Sequence, residues 1–478
     1  MKNNNKPDIK KLLIYLIPFL LILILFAIFS TKIIFHDTTE YITLSKYLAG
    51  TNNVNIFTSH SIIYPFIISF LLKIWPSLTT IKLINTFWIF LIGLTFLLLK
   101  SKKAFIIFAF SPLTWITSIQ TTPILPASFL FLLSFIFFKK HFKHNSNNNL
   151  NPKPNPFSHL KPFLLLSGLL LGLSFATYTP MILVSFFFIL IYFWNKNFKD
   201  FIIYIIAFSL GFLPRMILDY YYFNMPFYSL IRFFGTNVVI LLGQHIQTAP
   251  VQLFLNIDSL LIFIAISPLL FKLYKLNPKK YKQEIIFLTI VFLIILIRAS
   301  LLKYFIIISP IIILLLVKVY SNKDIKWHCI LSIFLIIFLT SNYFIMNETN
   351  IDNLIQNDLT QITTDYNNQY IITGPFEAPK FAQFLSSNKP RFIWFQDYQA
   401  SINNQSTIRE YNINFNSNIP LKNQLQISAY FNRYDNKTYN NKDLILVTQK
   451  PKEDFPELNN FNLDKCYEVL CAYKISFD

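Results

Sequence analysis

Apolar runs of fifteen to twenty-one residues follow one another along most of this chain, with short clusters of lysines at alternate gaps between them. They occupy 12–30, 81–99, 104–118, 123–138, 162–178, 180–195, 200–218, 253–273, 284–299, 302–320 and 327–345. A helix rises about 1.5 Å per residue, so the longer runs match a hydrocarbon core of about 30 Å. The shorter ones cross only with tilt, local thinning or support from neighbouring helices. Composition agrees, because 54% hydrophobic and 14% charged residues in a chain of 478 provide too little polar surface for water alone. The expected fold is an α-helical polytopic membrane protein with about eleven transmembrane helices.

The formal charge of +19 comes from lysines placed between apolar runs rather than on one basic face, which argues for membrane orientation and against nucleic acid. Lys2, Lys6, Lys10 and Lys11 precede the first run as they would in a signal peptide. Its nineteen residues and the lack of a small-residue cleavage site favour an uncleaved span. With that N-terminus in the cytoplasm, Lys100/Lys102/Lys103, Lys139/Lys140/Lys143, Lys196/Lys199, Lys272 to Lys282 and Lys318/Lys323/Lys326 all fall inside. This holds only if Ser61 to Trp75 does not cross. Its Tyr64-Pro65 start and Trp75-Pro76 end suit a helix lying on the outer interface. Residues 1–345 then form a transmembrane domain in the cell membrane with outer loops at 32–80 and 219–252, and 346–478 form a small extracytoplasmic α/β domain.

That last domain reads as strand Tyr370–Thr373, a Gly374-Pro375 turn, helix Ala378–Leu385, strands Arg391–Phe395 and Leu444–Thr448, and a strand or hairpin over Tyr467 to Phe477. Of three cysteines, Cys329 borders an apolar run, so only Cys466 and Cys471 are placed to pair.

Directly after the first span, Asp37, Glu40, Tyr41 and Leu44 follow the i, i+3, i+4, i+7 spacing of one helix face. Asp37 and Glu40 also fit a capping box, which would satisfy the helix's first amides without excluding chemistry. His36 points elsewhere on such a helix and reads as an interfacial polar residue.

The order Asp37, Glu40, Tyr41 and Tyr64-Pro65, then Ser111-Pro112, Gly168 to Thr179, Pro214 through Asp219 to Pro226-Phe227, and Lys303-Tyr304 before Pro310 resembles the GT-C membrane glycosyltransferases. The protein O-mannosyltransferase and aminoarabinose transferase branch is the most similar, over roughly residues 10 to 320. The resemblance implies transfer of a sugar from a polyprenyl-phosphate donor to a glycan, lipid or protein acceptor outside the membrane, with inversion. Asp37 would be the general base and Glu40 its partner. Arg298 and Lys303, flanking the turn between the ninth and tenth spans, and Arg215, near the outer end of the seventh, would hold the donor phosphate. Tyr41, Tyr64 and Asp219 would line the substrate site. For the three cations the structural alternative is snorkelling to the interface. No cofactor is expected. A divalent ion would have to draw on Asp37, Glu40 and Asp219, and none is assigned.

Two departures stand out. Thr121 and Thr122 occur where many relatives place an acid, and Ala176-Thr177-Tyr178-Thr179 where many place a basic residue. They leave room for a non-catalytic, glycan-binding scaffold on the same fold. A lipid or sugar transporter or flippase is the other alternative, although transporters usually bury ionisable groups near the midplane in repeated halves.

The lysine pattern sets a testable orientation. In intact cells, a cysteine replacing Asp397 should react with a membrane-impermeant thiol reagent while one replacing Asn148 stays unlabelled. The reverse pattern would invert the topology.

Overall fold

The computed structural model describes residues 9–29, 41–42, 44–45, 48–50, 60–75, 78–118, 122–148, 161–194, 197–231, 233–234, 271–272, 274–275, 281–298, 302–344, 349–366, 369–373, 391–394, 444–448 and 461–475. The helices are α1 (Ile9–Phe29), α2 (Ile63–Ile74), α3 (Leu78–Leu98), α4 (Lys102–Ala109), α5 (Pro112–Ser118), α6 (Ile124–Asn148), α7 (Pro162–Thr177), α8 (Met181–Phe193), α9 (Phe198–Phe223), α10 (Lys282–Arg298), α11 (Ser309–Val319), α12 (Asn322–Phe344) and α13 (Thr349–Asp365). Among the described residues four stretches, Leu12–Phe29, Thr79–Leu98, Ile124–Phe142 and Phe198–Phe223, are long and apolar enough to cross a membrane. At twelve residues, about 18 Å of helix, α2 is too short to do so.

Two expected spans are not single helices. The run 104–118 breaks into α4 and α5, because Pro112 has no amide hydrogen to extend the ladder and biases Ser111 away from helical geometry. Side chains take up the carbonyls the break releases. Thr114 Oγ1 donates to the Phe108 carbonyl and Trp115 Nε1 to that of Ala109, both at 2.8 Å. The run 302–320 begins as a 3₁₀ turn, Leu302–Ile307, before α11. Ser128 of α6 pins that turn by donating to the Ile306 carbonyl at 2.6 Å. The expected span 253–273 lies almost wholly outside the described residues.

The tightest helix pair is α7 against α9, and glycine is the reason. A Cβ placed on Gly172 would strike the Phe208 carbonyl, and one on Gly211 would strike that of Leu169. Without side chains at these positions the two backbones meet directly, which is how helices associate where no hydrophobic drive separates lipid from protein. Serines bind α6 to the same pair. Ser134 and Ser167 each donate to the other's carbonyl at 2.8 Å, and Ser174 donates to Ala127 at 2.7 Å.

Charge gathers at the two ends of this bundle. At the start of α9, Asp200 meets Lys161 and His141, and close by in sequence order Lys139 of α6 meets Glu284 of α10 at 2.7 Å. At the other end of the helix lie Arg215 and Asp219, both fully buried. Nineteen residues separate Asp200 from Asp219, about 28 Å of helix, close to the depth of a hydrocarbon core.

The C-terminal region is a five-stranded sheet of β1 (Tyr370–Thr373), β2 (Arg391–Trp394), β3 (Leu444–Thr448), β4 (Phe461–Cys466) and β5 (Cys471–Ile475), in the order β2-β1-β3-β5-β4. The first three are parallel, and β5 runs antiparallel to both β3 and β4. A disulfide joins Cys466 to Cys471 across the hairpin. The expected helix Ala378–Leu385 lies outside the described residues. One helix was not anticipated: α13 buries Leu359 and Ile362 against Ile371, Ile445 and Val447. Its Asp358 accepts the Val469 and Leu470 amides of the hairpin turn at 2.7 and 2.9 Å. Nearby, hydrogen bonds from Tyr366 and then Lys474 hold the Asp464 carboxyl below its usual range. The small stability it adds is therefore present at neutral pH and lost only as pH falls through that lowered value.

Replacing Gly172 by Leu should force α7 from α9 and cost at least about 1–3 kcal/mol of overpacking. Thermal unfolding of the purified variant checks this, and an unchanged midpoint would show that the close contact is not required.

Candidate functional site

The glycine contact has a consequence at the far end of the pair. Because α7 and α9 run so close, the turn that ends α7 delivers Thr179 to Arg215, and the guanidinium Nη1 donates to Thr179 Oγ1 at 2.8 Å. Beyond α9 the chain reverses sharply. Asn224 caps the helix in the left-handed region at φ 54°, and Phe227 also adopts a positive φ of 67°. That conformation is rare for a bulky residue and persists only where surroundings enforce it. Stacking supplies the enforcement: Phe227 lies over Phe212 at 6.1 Å and Tyr228 over Phe223 at 4.2 Å.

The reversal brings Ser229 back onto α9. Arg215 Nε donates to Ser229 Oγ at 2.9 Å, while the same hydroxyl lies 2.8 Å from both Asp219 oxygens and donates to that carboxylate. The Ser229 amide donates to Asp219 Oδ2 at 3.1 Å. Ser229 thus stands between cation and anion. Phe212 lies under the guanidinium, its ring centre 5.9 Å from Cζ. One arm of the arginine remains: Nη2 is buried and has no hydrogen-bond partner among the described residues. An unpaired charged donor in such a place is costly unless something binds it.

Other elements close around this arginine. Residues 41, 42, 44, 45 and 48 are helical, as the acid-containing segment suggested, and Leu44 and Leu48 pack with Ile62 against Leu218 and Tyr222. Tyr41, on the same segment, is buried. Its ring meets Tyr64 edge-on at 5.9 Å and His60 at 5.1 Å. Tyr64 donates to Asn85 Oδ1 at 2.7 Å. Ser61, just before α2, donates to the Ala176 carbonyl of α7, which ties the tyrosines to the helix leading to Thr179.

Four of the sequence-derived site residues, Tyr41, Tyr64, Arg215 and Asp219, therefore belong to one cluster. Both oxygens of Asp219 are engaged by Ser229. Asp37 and Glu40 lie outside the described residues. So do the side chains of Arg298 and Lys303, whose backbones end α10 and sit in the 3₁₀ turn.

Sequence reasoning missed Thr179, Ser229, His60, Asn85 and Lys82 as site residues. Lys82 carried a signal, being a charge within an apolar run. It is buried on the same face of α3 as Asn85 and Thr86, at i+3 and i+4. Ser229 carried none, because only the reversal after α9 makes it a neighbour of Asp219.

Searches among protein families, curated proteins and solved structures find no match for this chain.

Proposed function

We propose that the chain is a polytopic GT-C-type glycosyltransferase of the cell membrane. It would move a sugar from a polyprenyl-phosphate donor to an acceptor hydroxyl on the outer face. The observation that carries this reading is the open arm of Arg215. A guanidinium fixed by two hydroxyls, fully buried, with Nη2 unmet among the described residues, is suited to an anionic oxygen at the depth where a lipid phosphate would sit. The neighbouring Tyr41, Tyr64, His60 and Asn85 provide the mix of aromatic faces and polar tips that sugars require. The Cys466–Cys471 disulfide fits a C-terminal domain in an oxidising compartment, in agreement with the orientation expected from the lysines and a count of about eleven spans.

In this reading the acceptor oxygen forms a bond to the anomeric carbon while the bond from that carbon to the phosphate oxygen breaks, inverting the centre. The electron pair leaves on the phosphate, where Arg215, with Arg298 and Lys303, would stabilise the growing charge more than it did in the ground state. The acceptor's proton goes to Asp37, with Glu40 beside it. General-base assistance of this kind is typically worth about 10²–10⁴-fold.

The test is incubation of the purified, full-length protein with labelled polyprenyl-phosphate sugars and candidate acceptors, scored for acceptor-dependent release of sugar. Turnover is expected from the wild type, and none above background from Asp37→Asn at matched folded protein. Asn keeps the size and capping ability of Asp but cannot take the proton. No release across the panel would sink the transferase reading, and near-normal rates in Asp37→Asn would reduce Asp37 to a helix cap.

A further inference from the structure

We infer that Ser229 and Asp219 form a positioning relay that aims Arg215. On this view the turn after α9 sets how well the chain holds an anionic oxygen. The inference rests on the reading of Arg215 as a phosphate ligand, and it changes the role of Asp219 from substrate contact to internal counter-charge. Three facts support it. First, the three nitrogens of Arg215 are addressed to three places: Nε to Ser229, Nη1 to Thr179, and Nη2 to no partner among the described residues. The fork is planar, so fixing two nitrogens fixes the direction of the third. Second, the Ser229 hydroxyl is used twice. It accepts from Arg215 and donates to Asp219, so the carboxylate polarises the hydroxyl that receives the guanidinium and balances its charge at one remove. Third, Ser229 reaches this place only through the left-handed Asn224 and Phe227, held by the two aromatic stacks. Backbone strain of that kind needs a return, and the aim of Arg215 is the return it obtains here.

A purely structural role makes a different forecast. The Ser229 amide also donates to Asp219, and that bond survives loss of the hydroxyl. If the turn were the whole purpose, Ser229→Ala would keep most of the local geometry and leave anion binding as it was. If the relay operates, the same variant frees Arg215 to swing about its remaining bond to Thr179.

The experiment measures binding of polyprenyl phosphate, without a sugar, to the full-length protein in detergent for the wild type, Arg215→Gln, Ser229→Ala and Ser229→Thr. Loss of a hydrogen bond to a charged group corresponds to roughly tenfold or more. Ser229→Ala should weaken binding by about that factor, Ser229→Thr should restore it, and Arg215→Gln should abolish it. Wild-type affinity in Ser229→Ala beside a loss in Arg215→Gln would overturn the relay and leave the phosphate reading standing. Wild-type affinity in Arg215→Gln would overturn both. Should Ser229→Ala not fold, the pair Ser229→Thr and Ser229→Val, alike in shape and differing in the hydroxyl, decides the question by the same comparison.

Discussion

A guanidinium has no neutral form to retreat to, so burying Arg215 obliges its surroundings to supply partners. Thr179 needs α7 to lie hard against α9, which the glycines at 172 and 211 permit. Ser229 needs the chain to double back after Asn224, which the stacked Phe212/Phe227 and Phe223/Tyr228 pairs hold in place. Asp219 needs Ser229 to satisfy it without wholly neutralising the arginine. The local fold at this end of the bundle can be understood as the solution to one electrostatic problem.

The same constraint separates the two ends of α9. Around Asp200, acids and bases pair directly, Lys161 with Asp200 and Lys139 with Glu284, and the arrangement is that of an anchored helix end. Around Arg215 a serine is interposed and, among the described residues, one donor is left over. Closed pairs hold a structure together, whereas an open donor is available to a ligand. The distinction lies in hydrogen-bond accounting rather than in net charge, and it marks one end of the bundle as the candidate for chemistry.

Much of the helical layout was legible in the sequence, because lipid-length apolar runs and lysine boundaries leave few arrangements. Strands Tyr370–Thr373 and Leu444–Thr448 were equally plain from their β-branched composition. The break at Ser111-Pro112 was written in the proline, yet hydropathy averaged over it. Helix α13 was overlooked although Ile351, Leu354, Ile355, Leu359, Ile362 and Tyr366 keep a helical period. At the site, the aromatic and charged landmarks Tyr41, Tyr64, Arg215 and Asp219 could be picked out one by one. Their small partners could not, because nothing distinguishes Thr179 or Ser229 from other hydroxyls until two helices and a reversal bring them together.

What binds the open arm of Arg215 is the question on which the account turns, and a structure of the full-length protein with polyprenyl phosphate bound answers it most directly. The account predicts a phosphate oxygen about 3 Å from Nη2, with the Ser229 and Thr179 bonds retained. A phosphate held elsewhere, with Nη2 still unmet, would contradict it.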